Sequence, residues 1–389
     1  MTDFFQDYLN EQLQEVDANS LRRNLRYLET AQGVEILVDN SSYLNFSSND
    51  YLGLAARSEL KDAVVQAVNV YGAGSGSARL ISGSNRLIHE LESRLASFKG
   101  AEASLCFTNG YSAALGAVTA LVGEGDVVVI DKLVHACVVD AAKLSGAKLR
   151  VFKHNDLADL ERILQWAGRT EGNTLVLAES VYSMDGDIAP LRDIVKLKDR
   201  YGAWLMVDEA HATGLYGKCR RGMVEEFGVG SQIDVQMRTL GKALGGAGGF
   251  VCGSQSLVDL LINRARSFIF TTAPVPAQIS AAIKALEIVG SDEGELLRTQ
   301  LWSNVDHLKN GLIKLGWKIP TVRSAIVPII VGDEAEAMAL SDRLRNDGVW
   351  VPAVRYPTVA KGAARLRLTL SASHKSEHIE TLLEALGNA

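Results

Sequence analysis

A lysine lies among small residues in Thr239-Leu240-Gly241-Lys242-Ala243-Leu244-Gly245-Gly246, downstream of an apolar run that ends in acid, Trp204-Leu205-Met206-Val207-Asp208-Glu209-Ala210-His211. An amine on a loop whose glycines permit close approach can hold an aldehyde as a Schiff base. A carboxylate at the end of a buried strand can keep a heterocyclic nitrogen protonated. Pyridoxal phosphate asks a protein for these two groups, one to anchor its aldehyde and one to keep its ring an electron sink. Taken singly, Lys242 reads as a surface loop lysine and Asp208 as a helix N-cap. Their order, and the phosphate-binding features upstream, point to an enzyme.

His211, three residues past Asp208, is placed to hydrogen-bond the cofactor's ring hydroxyl, or else is a structural histidine. The Asp, Glu and His cluster has no second ligand group at metal-binding spacing, so no metal is expected. Thr108-Asn109-Gly110-Tyr111-Ser112 follows an apolar strand and opens a helix, where free amide groups and the positive dipole end suit a phosphate. A plain N-cap turn fits that segment equally well. Thr239 offers a hydroxyl to the same phosphate. His135 lies just past the strand Val127–Asp131, where open α/β sheets bind ligands, and an imidazole there can stack on the pyridine ring. The run Gly72-Ala73-Gly74-Ser75-Gly76-Ser77 lacks the strand–glycine loop–helix context of a dinucleotide site, and no G-x-x-x-x-G-K-[ST] loop occurs.

The elements that must position these groups alternate. Apolar strands are expected at Ala103–Phe107, Val127–Asp131, Leu149–Phe152, Leu175–Glu179, Trp204–Asp208, Val235–Thr239 and Gly249–Cys252, with helical periodicity between most of them. That pattern predicts an α/β fold with a large, mostly parallel seven-stranded sheet covered on both faces, followed by a smaller α+β C-terminal domain. The expected division is 1–45 for an N-terminal helix with short strands, 46–285 for the large cofactor-binding domain, and 286–389 for the small domain. An amphipathic helix over 3–28 is expected to pack on the C-terminal part, with a strand at Val34–Val38. Over 389 residues the net charge is −6 with 22% charged residues, which gives no basic excess for nucleic acid or an anionic membrane. No signal-like start and no run of about 20 apolar residues is seen. Cys106, Cys137, Cys219 and Cys252 have no staple-like spacing. A cytoplasmic protein is expected.

Taken in order, these residues resemble the α-oxoamine synthases, fold-type I pyridoxal-phosphate enzymes related to aminotransferases. The resemblance runs over nearly the whole chain, through Asn45–Leu54, Arg79-Leu80-Ile81-Ser82-Gly83, Val181–Asp187, Asp208–His211 and Thr239–Lys242. It implies decarboxylative condensation of an acyl-CoA with a small amino acid. It implies cofactor contacts at Gly110, Tyr111, His135, Ser183, Asp208, His211 and Thr239, and a covalent anchor at Lys242. Thr272 resembles a hydroxyl lent to the phosphate by a partner subunit, which implies a homodimer. Arg367 resembles the arginine that grips the amino-acid carboxylate, against the alternative of an exposed strand arginine. Members that make 5-aminolaevulinate carry Thr and Asn where this chain has Ala78 and Leu80, which disfavours a succinyl group. The run Tyr356–Gly362, with Ala364–Ser371, is most similar to the biotin-forming branch. That branch joins L-alanine to pimeloyl-CoA or a pimeloyl acyl-carrier protein. There Thr358 is expected to contact substrate and Arg26 the acyl end, with Arg22 a competitor. Val181-Tyr182 and Glu209-Ala210-His211-Ala212 are shared with the aminolaevulinate branch and pull modestly the other way. Alternatives left open are glycine with acetyl-CoA, a nucleotide-binding oxidoreductase, and a non-catalytic binding protein on the same fold.

Overall fold

Strands that are apolar on both faces need cover on both sides, and the chain supplies it by inserting helices between them. The computed structural model describes residues 4–18, 21–320 and 323–387. Two short strands come first, β1 (Glu35–Val38) and β2 (Ser41–Asn45). Seven follow: β3 (Ala103–Phe107), β4 (Val127–Asp131), β5 (Lys148–Phe152), β6 (Thr174–Glu179), β7 (Trp204–Asp208), β8 (Val235–Thr239) and β9 (Gly249–Gly253). Four more lie near the end: β10 (Ile326–Gly332), β11 (Val349–Trp350), β12 (Ala353–Val354) and β13 (Ala364–Thr369).

The middle seven form one sheet in the order β3-β9-β8-β7-β6-β4-β5. From β5 to β8 every pairing is parallel, and β9 alone runs against its neighbours β8 and β3. β3 and β4 are buried at all positions, which is why they read as continuous apolar runs. The expected large, mostly parallel sheet and smaller strand-containing C-terminal part are both present. Six strands deliver their carboxyl ends to one edge, and there Gly110, His135, Ser183, His211 and Lys242 begin the following loops and helices.

β1 and β2 are joined through Asp39 and Asn40, whose φ values of 48° and 63° match the left-handed pair that a two-residue hairpin turn requires. β11 then extends this hairpin by pairing parallel with β2. β10 and β12 flank β13 antiparallel.

The N-terminal expectation needs correction. The helix covers Phe4–Ala18 only and buries no residue; Phe4, Phe5 and Tyr8 are exposed. Residues 21–27 lack regular structure, and Leu25 is 97% exposed, so the segment buries no stripe that would sustain a helix. The irregular segment meets the C-terminal part, where Arg355 Nη2 donates to the Arg22 carbonyl at 3.2 Å.

Candidate active site

β6 and β7 run side by side in parallel, with Glu179 in register with Asp208, so two carboxylates end neighbouring strands. Both are buried. Asp208 Oδ1 accepts the Ala210 amide at 2.8 Å, and burial pushes its pKa up while Lys242 and His135 pull it down. Glu179 accepts the His135 amide at 2.5 Å; burial, with Asp208 adding, pushes its pKa up to about 8. Lys242, on the loop after β8, supplies the nearby cation. Burial lowers its pKa to about 8, against the pull of Asp208 and Glu179, so a substantial share of its amine is neutral near physiological pH.

Lys242 Nζ lies 2.6 Å from His211 Nε2, and His211 Nδ1 lies 2.6 Å from the Tyr51 hydroxyl. Burial, with Lys242 adding, holds His211 well below its usual pKa, so the ring is neutral. The network then fixes its tautomer: Nε2 accepts from Lys242 and Nδ1 donates to Tyr51. Tyr51 in turn donates to Asn49 Oδ1 at 3.2 Å, and its own pKa is pushed up to about 12 by burial. Asn49 Oδ1 also accepts from Arg367 Nη2 at 3.1 Å. One hydrogen-bonded file therefore joins Lys242 to Arg367 through His211, Tyr51 and Asn49.

Arg367 is a buried residue of β13, not an exposed strand arginine. Its Nε donates to the Ser183 carbonyl at 2.5 Å. With Nε and Nη2 pinned, the guanidinium plane is fixed while further donors remain for a carboxylate. Ser183 reaches the site through this carbonyl, on a turn that follows β6.

Asn109 caps the helix Gly110–Leu121 by accepting the Ser112 amide at 2.8 Å. A Cβ built on Gly110 would sit 3.6 Å from Thr239 Cβ, so the helix start faces the lysine loop at close range. Gly245, at φ +61°, is required by that loop, because a Cβ there would lie 2.6 Å from the Ala55 amide nitrogen. The Thr239 hydroxyl donates to the Gly248 carbonyl at 2.9 Å and accepts the Gly241 amide at 3.1 Å, bracing the lysine loop. Tyr111 is exposed and hydrogen-bonds Asp140 through its hydroxyl. His135 caps the helix Ala136–Leu144, its Nδ1 accepting the Cys137 amide at 3.2 Å. Partial burial lowers its pKa, Asp208 raises it and Lys242 lowers it again, for a net fall.

These residues fit pyridoxal phosphate: a buried carboxylate for a cationic ring nitrogen, a lysine of lowered pKa, a neutral histidine at the lysine, and a glycine-opened helix start facing the lysine loop. Two cavities adjoin them. One of about 450 Å³ runs from Gly241 and Gly245 past Asn45 to Ile36, Val38 and Arg26. The other, of about 570 Å³, shares Arg26 and Trp350 with it and is lined by Arg22, Arg355, Met184 and Thr358. Arg26 is paired with Asp39 at 3.0 Å. Thr272 is exposed and bridges Ala78 through its backbone. Tyr51, Asn49 and Glu179 join the site beyond the residues expected from sequence; the first two lie inside the run Asn45–Leu54, and the local signal for Glu179 is an acid at a strand end, as for Asp208.

Residues 41–386 match the family model for aminotransferase class I and II. An 8-amino-7-oxononanoate synthase of Geobacter sulfurreducens is 46% identical over 375 residues, covering 96% of each chain. That of Citrifermentans bemidjiense is 45% identical over 95% of each. Among solved structures, a serine palmitoyltransferase from S. paucimobilis with PLP and myriocin bound superposes with a TM-score of 0.91 at 29% identity, over 98% of this chain and 96% of that one. The 8-amino-7-oxononanoate synthase of Francisella tularensis gives 0.76 at 29% identity, over 89% and 97%.

Proposed function

The chain belongs to the aminotransferase class I and II family, on its α-oxoamine synthase branch, and we propose that it condenses L-alanine with a pimeloyl thioester in biotin biosynthesis. The products are 8-amino-7-oxononanoate, carbon dioxide and the free thiol of coenzyme A or of an acyl carrier protein. Near-full-length similarity to synthases of that name, at 46% and 45% identity, carries the reading.

Pyridoxal 5'-phosphate is the cofactor, and when bound it supplies an aldehyde for the substrate amine and a protonated ring that draws electrons from the amino-acid Cα. The chain's residues do the rest. Lys242 anchors the cofactor and, once freed, takes the proton from Cα of alanine; its lowered pKa suits it to that base role. Asp208 holds the ring nitrogen protonated. His211, neutral and oriented by Tyr51, presents Nε2 to the lysine amine. His135 covers the ring face, and Gly110, Tyr111, Ser183 and Thr239 complete the cradle. Arg367 grips the alanine carboxylate. The apolar wall of the inner cavity, Ile36 and Val38, suits a methylene chain, with Arg26 for its terminal carboxylate and Thr358 further out. Ala78 and Leu80 offer no polar side chain to a succinyl end.

The exposed Thr272 supports a homodimer in which this hydroxyl serves the partner's phosphate. No described helix is long and apolar enough to cross a membrane, and the four cysteines are free thiols, which supports a place in the reducing cytoplasm. The test is product formation from alanine or glycine paired with pimeloyl-, acetyl- or succinyl-CoA. Alanine with the pimeloyl thioester is expected to win, and Lys242→Ala to abolish turnover with the fold intact. Preference for glycine with acetyl-CoA, or an active Lys242→Ala enzyme, would overturn the assignment.

A further inference from the structure

One ionic cluster outside the cofactor cleft has no part in the chemistry above. His154 lies just past β5 with a carboxylate at each ring nitrogen: Asp131 Oδ1 is 2.9 Å from Nδ1, and Asp187 Oδ2 is 2.7 Å from Nε2. A neutral imidazole has one N–H, so two carboxylate partners call for the imidazolium. Burial lowers the pKa of His154, but the bonds and charges of Asp131 and Asp187 outweigh it and push it up to about 10. The third titratable group against the ring is Tyr182, edge-on at 4.4 Å, and burial keeps its phenol protonated. Asn155 Nδ2 adds a 2.9 Å bond to Asp187 Oδ2.

Each anchor leads to the cleft. Asp131 is fully buried at the end of β4, and its Oδ1 also accepts the Leu133 amide at 2.8 Å, shaping the turn that delivers His135. Asp187 belongs to a closed turn from Val181 to Ile188, held by Tyr182 N to Asp187 O at 3.0 Å and Gly186 N to Tyr182 O at 2.9 Å. The far side of that turn grips the smaller sheet. The Ser183 carbonyl takes Arg367 Nε, and Asp185 Oδ1 takes Arg365 Nη1 at 2.6 Å. The turn is thus held between His154 and two arginines of β13.

We propose that His154 is a positioning residue: as an imidazolium bridging Asp131 and Asp187, it holds the turn 181–188 in the pose that seats Arg367 for the amino-acid carboxylate. The proposal rests on the reading above for the identity of that amino acid and for the role of Arg367.

The test uses the pyridoxal-phosphate holoenzyme and the variants His154→Gln and Asp187→Asn. Each is expected to raise KM for L-alanine at least tenfold and KM for pimeloyl-CoA by clearly less, since of the turn only Met184 lines a cavity proposed for the acyl chain. A purely structural role would lower the melting temperature and spare that split; KM for alanine within twofold, or an equal loss for both substrates, overturns the proposal. If His154→Gln does not fold, Asp187→Asn decides, since it leaves the pair with Asp131 in place. Independently of activity, ¹⁵N-histidine NMR of the wild type, with the His154 signal assigned through a variant, is expected to show both ring nitrogens protonated at pH 8. A neutral ring at pH 8 overturns the proposal. Wild-type enzyme that makes no product from alanine would refute the functional assignment and leave the NMR result to decide this one.

Discussion

Arg367→Lys separates charge from geometry at the proposed carboxylate site. The substitution keeps the positive charge in a buried position of β13, so the long-range field is largely preserved. It removes the fork. A lysine ammonium cannot present two parallel N–H groups to a carboxylate, nor hold the Ser183 carbonyl and Asn49 Oδ1 as Nε and Nη2 do. Losing one hydrogen bond to a charged group costs about 1.5–3 kcal/mol. At about 1.4 kcal/mol per decade, kcat/KM for L-alanine should fall about 10- to 150-fold. The loss should sit in KM, because a grip on a carboxylate that is present in ground and transition states alike is uniform binding. The assay is steady-state kinetics with alanine varied at saturating pimeloyl-CoA, then the reverse. KM for pimeloyl-CoA should change less, since Arg367 itself lines neither cavity proposed for the acyl chain. An Arg367→Lys enzyme with unchanged KM for alanine would refute the role, and an equal loss for both substrates would place Arg367 in the scaffold.

Two further outcomes follow from buried charge. In cofactor-free enzyme, labelling of Lys242 by a small aldehyde with cyanoborohydride should rise with pH through a midpoint near 8, because the reactive amine is the form favoured by burial. Asp208→Asn removes a carboxylate that holds the ammonium, so the midpoint should drop; an upward shift, or a wild-type midpoint at the ordinary lysine value, would refute the electrostatic account. Beneath the cleft, Glu209 is buried against Arg238 and lies 3.5 Å from Lys99 Nζ, while its Oε1 accepts the Val224 amide at 2.7 Å. Glu209→Gln leaves two buried cations without their anion, which should destabilise the fold by about 3–5 kcal/mol in urea unfolding; a change under about 1 kcal/mol would mean the cations find other partners.

The sequence disclosed whatever depends on local pattern. Apolar strands ending in Asp208 or opening onto Gly110 and Lys242 are written in runs of a few residues, and a parallel sheet then gathers their carboxyl ends without further instruction. What stayed hidden are pairings between distant segments. Tyr51 meets His211 across 160 residues, Arg367 meets Asn49 across 318, and His154 meets Asp187 across 33. No periodicity encodes such contacts, because each is decided by how loops pack after the strands are in place. The N-terminal difference has the same origin: an amphipathic stripe over 3–28 implies a partner surface, whereas the helix Phe4–Ala18 buries none of its residues in the single chain. The hidden pairings are also what couples the halves of the site. The proposed cofactor groups come from strand ends of the large sheet, and the proposed carboxylate grip from β13 of the small one. Two short stretches bridge them at Arg367, the Asn49–Tyr51 segment and the Ser183 turn. The proposed grip on the amino-acid carboxylate therefore depends on the neighbours that pin Arg367, and a substitution at Asn49, which bonds the guanidinium directly, should move KM for the amino acid before it disturbs cofactor anchoring at Lys242.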